Sequence, residues 1–282
     1  MDEPRLLLSD LVLGESPRWH DGRLWLADWG AHEVLAVDMG GTRDVVARVP
    51  SFPFSIDWLP GGQLLIVSSS DRRLLRREPG GSLVTHADLL DLSDMPWNEI
   101  VVDGRGNTYV NSIGFDMMAG ERAGPGIVAL VTPDGSSRRV AGDVLFPNGM
   151  VVTPDNSTLI LAESHGQRLT AFDIEPDGGL SKRRVWADLD GGAPDGICLD
   201  ADGAVWFGDV PNKRCVRVRE GSEVLETIEL DRGCFACMLG GADGATLFMI
   251  AAEWGGPQAA ADAARTGRVL IVDAPAPRAG WP

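Results

Sequence analysis

No stretch of the 282-residue chain approaches the roughly 20 consecutive apolar residues of a membrane-spanning helix, so no membrane partner is expected. The start, Met1 to Arg5, lacks a basic segment followed by an apolar core. No secretory signal is therefore read there, and a cytoplasmic location is the expectation. Clustered Lys and Arg are missing as well. A formal net charge of −16 disfavours phosphate backbones and argues against a nucleic-acid partner. Cysteine is scarce: Cys198, Cys215, Cys234 and Cys237. Without a signal segment, four cysteines predict reduced thiols and not a disulfide framework. Cys234 and Cys237 form a CxxC, but no second CxxC follows and no βαβ pattern surrounds it, so buried strand residues are the expectation. No Gly-x-Ser-x-Gly motif appears, which removes that serine-nucleophile chemistry and leaves metal-dependent hydrolysis for a hydrolase.

Glycine and proline are abundant, at 35 and 18, with Asp-Gly, Gly-Gly and Pro-Gly pairs spread along the chain. Turn signals at that density call for many short strands. They also punctuate an internal repeat: an apolar run, a Gly- or Asp-rich turn, then a second apolar run. Six copies begin near Ser16, Ser55, Glu99, Gly149, Gly196 and Ala236. Their second runs align at Leu24, Leu64, Thr108, Leu159, Val205 and Leu247, spaced 40, 44, 51, 46 and 42 residues apart. That period belongs to the blades of a β-propeller. The predicted fold is all-β, a single six-bladed propeller domain spanning 1–282. The sixth copy offers one outer strand, Arg268 to Asp273, so the N-terminal run Leu6 to Leu13 is expected to close the ring in the last blade. Segments 114–126 and 255–267 fall outside the repeat and are read as long loops, either lids over a channel mouth or plain insertions.

The residue before each inner strand is, in order, Glu15, Phe54, Asn98, Asn148, Asp195 and Phe235. In a propeller these positions face one another around the channel. Two carboxylates and two carboxamides make an all-oxygen donor set suited to a hard cation. Ca²⁺ is expected first, Mg²⁺ or Mn²⁺ next, and Zn²⁺ is less natural for the set. Asn148-Gly149 and Asp195-Gly196 also read as turn dipeptides, an alternative that leaves the shared phase of Glu15 and Asn98 unexplained. Glu163, Asp209 and Glu253 end comparable strands, either lining the cavity or simply repeating with the blades. His165 is a candidate base or substrate contact at the end of an inner hairpin.

Gly14-Glu-Ser-Pro-Arg-Trp19, Asn98-Glu-Ile-Val-Val-Asp103, Pro147-Asn-Gly-Met150 and Pro194-Asp-Gly-Ile-Cys-Leu-Asp200 resemble the four signatures of the gluconolactonase/regucalcin family, also called senescence marker protein and luciferin-regenerating-enzyme-like. The resemblance implies a six-bladed propeller with a divalent metal in its channel. Glu15, Asn148 and Asp195 would be ligands, Asn98 would lie at the metal, and Asp195 would be the candidate general base. It implies hydrolysis of a small-molecule lactone. A phosphotriester hydrolase or ring-rearranging enzyme at the same metal, or a non-catalytic binding propeller with a structural ion, are the alternatives. Two positions depart from the pattern: Pro96 stands where an Arg is common, and Glu99 where Asp is common. Trp97, Phe54, Phe235 and Trp29 predict a pocket more apolar than a polyhydroxylated sugar acid requires, with Trp97, Phe54, Phe235, Asn98, Glu99 and His165 as the substrate contacts.

Overall fold

Alternating apolar residues separated by tight turns produce antiparallel hairpins, and here the hairpins form six separate sheets. A computed structural model describes residues 3–117, 119–256 and 264–282, and no helix occurs among them. None is therefore long and apolar enough to cross a membrane. The first strands of the six sheets are Gly14–His20, Phe54–Trp58, Trp97–Val102, Pro147–Val152, Pro194–Asp200 and Gly233–Gly240. Each packs against the first strand of the next sheet, and the sixth returns to the first, so these strands line a central channel. The chain is a six-bladed β-propeller. All six residues aligned by the repeat fall in the second strands of their blades.

A blade cannot bury both of its faces alone, so the core is divided among the blade interfaces. Leu65, Val67, Ile100 and Val110 pack between blades 2 and 3. Val151, Ile160, Phe207 and Val216 do so between blades 4 and 5. Between blades 5 and 6 lie all four cysteines, free and buried, with Met238 and Met249. This agrees with their reading as strand residues.

Arg5–Leu11 pairs antiparallel with Gly267–Asp273 and completes blade 6, as the repeat required. The C-terminal segment makes a contact the repeat did not announce. Arg278–Ala279 pairs with Leu199 and Asp200, and Trp281 bridges Val152. Both partners are the trailing ends of inner strands. The tail therefore lies across the channel end opposite Glu15, Asn98, Asn148 and Asp195.

Candidate metal centre and its cavity

The four polar ring residues lie inside the first strands, as their second residues and not just before them, and each sits at an irregularity. Pairing slips by one residue between Glu15 and Arg18, between Trp97 and Ile100, between Pro147 and Met150, and between Pro194 and Ile197. Blade 6 slips at Phe235, whereas blade 2 pairs without a break from Phe54 onward. An extra residue in one strand re-aims its side chain, and here the bulges coincide with the residues that face the channel. Glu15, Asn98, Asn148 and Asp195 together line the floor of a cavity of about 780 Å³.

Small residues let the inner strands converge. A Cβ on Gly149 would lie 2.6 Å from the Ile197 nitrogen and 2.7 Å from the Asp195 carbonyl oxygen; one on Gly196 would lie 2.8 Å from the Ala236 Cα. Neither glycine has a positive φ. Space between blades, not turn conformation, requires them, so the turn-dipeptide reading of Asn148-Gly149 and Asp195-Gly196 does not hold. Neighbouring blades are tied around the channel by polar bonds as well. Ser55 Oγ donates to the Asn98 carbonyl at 2.7 Å, and Asn111 Nδ2 donates to the Asn148 carbonyl at 2.7 Å. Ser164 Oγ donates to the Pro194 carbonyl at 2.7 Å and accepts from Asn148 Nδ2 at 3.4 Å.

Glu15 and Asp195 face each other electrostatically. Burial pushes the Glu15 carboxyl well above its usual range, and the charges of Asp195 and Glu99 add to the effect. Burial does the same to Asp195, with Glu99 and Asp209 adding and a bond from Asn148 opposing. Neither carboxylate forms an ion pair with a basic side chain among the described residues. Asn98 Nδ2 donates to the Pro147 carbonyl at 3.3 Å. With both amide groups donating away, the side-chain carbonyl oxygens of Asn98 and Asn148 accept no hydrogen bond among the described residues. Two carboxylates without an ion-pair partner and two free carbonyl oxygens suit a hard cation such as Ca²⁺. No cluster of three or more His, Cys, Asp or Glu exists among the described residues to offer another kind of metal site.

Other expected site residues separate into two groups. His165, Phe235 and Trp29 line the cavity. His165 is held by Phe146 at 4.7 Å and Phe115 at 5.9 Å, and burial lowers its pKa, so the ring is neutral at pH 7. Trp97, Phe54 and Glu99 do not reach the cavity. Trp97 and Phe54 are fully buried in the interfaces of blades 2 and 3 and of blades 1 and 2, because their strand positions point sideways between sheets. Glu99 lies beneath the floor, where Arg18 Nη2 donates to its Oε2 at 3.1 Å. Glu163 and Asp209 are also away from the cavity. Glu163 is bonded by Arg168 and Arg183, and Asp209 by Asn212 and Arg214, so they fasten blade corners. Glu253 is exposed. Within segment 114–126, Asp116, Met117 and Glu121 stand over the cavity mouth, while Met118 and residues 257–263 of the other loop lie outside the described residues.

Arg18, Asp57, Asn111 and Ser164 were not anticipated. Arg18 and Asp57 occupy the channel below the floor, 3.8 Å apart. Asn111 and Ser164 anchor Asn148 from neighbouring strands. An Arg and an Asp within the first runs of their repeat copies were the available signal for the first pair, but neither shows its partner in the sequence. Asn111 and Ser164, at the ends of second strands, carried none.

A family model described as the SMP-30/gluconolactonase/LRE-like region matches residues 13–253. Regucalcin of Xenopus laevis is 26% identical over 251 residues, covering 85% of this chain and 83% of that protein. The 6-deoxy-6-sulfogluconolactonase of Pseudomonas putida is 30% identical over 114 residues, 39% of each chain. Among solved structures, the calcium-binding protein regucalcin of Agrobacterium tumefaciens superposes with a TM-score of 0.81 at 21% identity, covering 98% of this chain and 95% of that one.

Proposed function

This chain belongs to the SMP-30/gluconolactonase/LRE-like family, and from that premise we propose that it is a divalent-metal-dependent hydrolase that opens small lactone rings at its cavity floor. The observation that carries the reading is the convergence of Glu15 and Asp195, without an ion-pair partner, on the unbonded carbonyl oxygens of Asn98 and Asn148 at the base of a substrate-sized cavity. Glu15, Asn98, Asn148 and Asp195 would hold the ion, Ca²⁺ before Mg²⁺, Mn²⁺ or Zn²⁺. When bound, the cation would supply Lewis-acid polarisation of the ester carbonyl and positive charge opposite the developing oxyanion. The 6-deoxy-6-sulfogluconolactonase similarity supports the same reaction class.

Asp195 is the base in this reading. It is half-buried at the floor, open to the cavity, and beside Asn148, which bonds its carboxylate and orients it. It takes a proton from the water that attacks the carbonyl carbon. The ring C–O bond then breaks, and the proton passes to the departing alkoxide, leaving a hydroxy acid. A carboxylate that also faces a cation is a weak base, so Asp195 acts chiefly by position. His165, neutral and presented on the wall, contacts the substrate.

The test is a panel of lactones followed with a pH indicator. Each is run on metal-stripped protein and again after adding Ca²⁺, Mg²⁺, Mn²⁺ or Zn²⁺. Metal-restored turnover is expected. Silence with every metal would overturn the lactonase reading in favour of phosphotriester hydrolysis, ring rearrangement or a binding propeller, which the same preparations separate with phosphotriester substrates.

A further inference from the structure

The cavity is polar at its floor and largely aromatic along its wall. Three aromatic pairs from blades 1, 4 and 6 form the wall. Trp29 meets Phe52 edge-on at 5.4 Å, Phe235 meets Trp254 edge-on at 5.5 Å, and Phe146 lies 4.7 Å from His165. The polar end of Trp29 is already occupied, since its indole N–H donates to the Phe54 carbonyl at 2.5 Å. Several polar groups higher on the wall are engaged with one another. Ser70 bonds Ser51, Asp116 accepts from the Ala119 nitrogen, and Glu121 accepts from the Asp116 nitrogen. Arg72, the one basic side chain lining the cavity among the described residues, is paired with Asp94 at 2.5 Å.

Beyond the His165 ring and the remaining lone pairs of Asp116 and Glu121, such a wall offers a ring of hydroxyl groups no partner. Hydroxyls turned toward the aromatic pairs would lose water and find no partner there, a cost of about 1–3 kcal/mol each. An anionic substituent would meet Asp116 and Glu121 with no free cation to balance it. The volume, about 780 Å³, is that of pockets that enclose drug-sized ligands, far more than a bare lactone ring fills. Resting on the lactonase reading, we infer that the substrate is a neutral lactone bearing a bulky apolar substituent. Its ester group sits at the polar floor and its substituent lies against the aromatic pairs.

The experiment compares γ-lactones whose alkyl substituent lengthens from methyl to hexyl, and a phenyl-substituted one, with glucono-δ-lactone and a sulfonated sugar lactone, all on the Ca²⁺-supplemented full chain. Alkyl lactams of the same lengths are titrated in parallel by tryptophan fluorescence. The expected result is a rise in kcat/KM of about fourfold per methylene, with the sugar lactones at least 100-fold below the hexyl compound. Trp254→Ala should flatten that slope, and because Trp254 is 38% exposed its truncation spares the fold. Phe52→Ala provides a second reading of the same slope. Lactone hydrolysis with a flat slope, or with a sugar lactone preferred, overturns the substrate class and leaves the lactonase reading standing. Absence of hydrolysis with lactams that bind more tightly as they lengthen overturns the reaction and retains the apolar ligand class. Neither turnover nor lactam binding overturns both.

Discussion

Asp57 shows how much of the channel's chemistry rests on single buried charges. It lies below the cavity floor, where its carboxylate accepts from the Val102 and Trp58 nitrogens at 2.8 Å and faces Arg18 at 3.8 Å, with Glu99 nearby. Burial outweighs Arg18 and raises its pKa to about 6. A raised carboxyl is protonated in the folded state over a range where the unfolded chain has already lost its proton. Its contribution to stability is therefore complete below the unfolded value, near 4, and falls as pH rises through 6. Across that window the wild type should lose stability relative to Asp57→Asn by on the order of 3 kcal/mol, read from urea unfolding at successive pH values. A difference that stays constant between pH 4 and 7 would refute the assignment. At Asp195 the prediction concerns turnover. Asp195→Asn keeps the side-chain volume and one oxygen but cannot take the proton, so metal-supplemented kcat should fall about 10²- to 10⁴-fold. Unimpaired turnover would remove Asp195 from the base role. The place of Asp195 on the cavity floor was legible because its phase in the repeat matched Glu15. Asp57 was not, because an acidic residue in an apolar run shows its partner only once blades 1, 2 and 3 are assembled.

The inner strands carry the site through their irregularities. Position in the repeat picked out Glu15, Asn98, Asn148, Asp195 and Phe235, which line the cavity, and Phe54, which does not, because a period aligns positions and does not say which of them bulge. The outcome for Trp97 follows directly. Asn98 next to it sits at the slip between Trp97 and Ile100, so Asn98 turns to the cavity while Trp97 stays in the regular ladder opposite Ser112 and points between blades. Phe54, in the blade without a slip, also remains in the interface. Close packing of adjacent bulged strands makes a further prediction. Alanine at Gly196 would place a Cβ 2.8 Å from the Ala236 Cα and 3.2 Å from the Phe235 carbonyl oxygen. Both are backbone atoms of the neighbouring inner strand and cannot rotate away. Gly196→Ala should cost about 1–3 kcal/mol through overpacking and displace Asp195 beside it, lowering lactone turnover. Gly80→Ala is the matched control, since nothing lies within 4 Å of its added Cβ and its φ is not positive; it should stay within about 0.5 kcal/mol. Equal thermal denaturation of the two variants would show that the inter-blade contact is not tight.

Closure decides whether six hairpin sheets behave as one molecule. The count of blades and the role of the N-terminal strand were readable, because the sixth copy was one strand short and Leu6 to Leu13 had no other partner. The C-terminal contact was not, since Arg278–Ala279 is too short to show a strand pattern and its pairing to Leu199 and Asp200 exists only across the finished channel. At the opposite rim, Asp28 accepts from the Val12 and Leu13 nitrogens at 3.1 and 3.0 Å, holding the chain as it passes from blade 6 to blade 1. Leu8 and Leu11 of the closing strand are buried with Leu24, Phe248 and Ile250 in the interface of those blades. Removing residues 1–11 would take both leucines out of that core, at about 1.5–3 kcal/mol each. It would also leave Gly267–Asp273 as an unpaired edge, open to strands of other chains. The truncated protein should therefore melt several degrees lower and form larger particles than the full chain in light scattering at equal concentration. A synthetic peptide spanning residues 3–13 should reverse both effects by refilling the edge. If the truncated chain keeps the full chain's melting temperature and particle size, blade 6 is stable with three strands and closure by the N-terminus is not what holds the ring. Rescue by the peptide, and not by one with Leu8 and Leu11 replaced by Ser, would assign the effect to this strand's own core contacts and not to chain length.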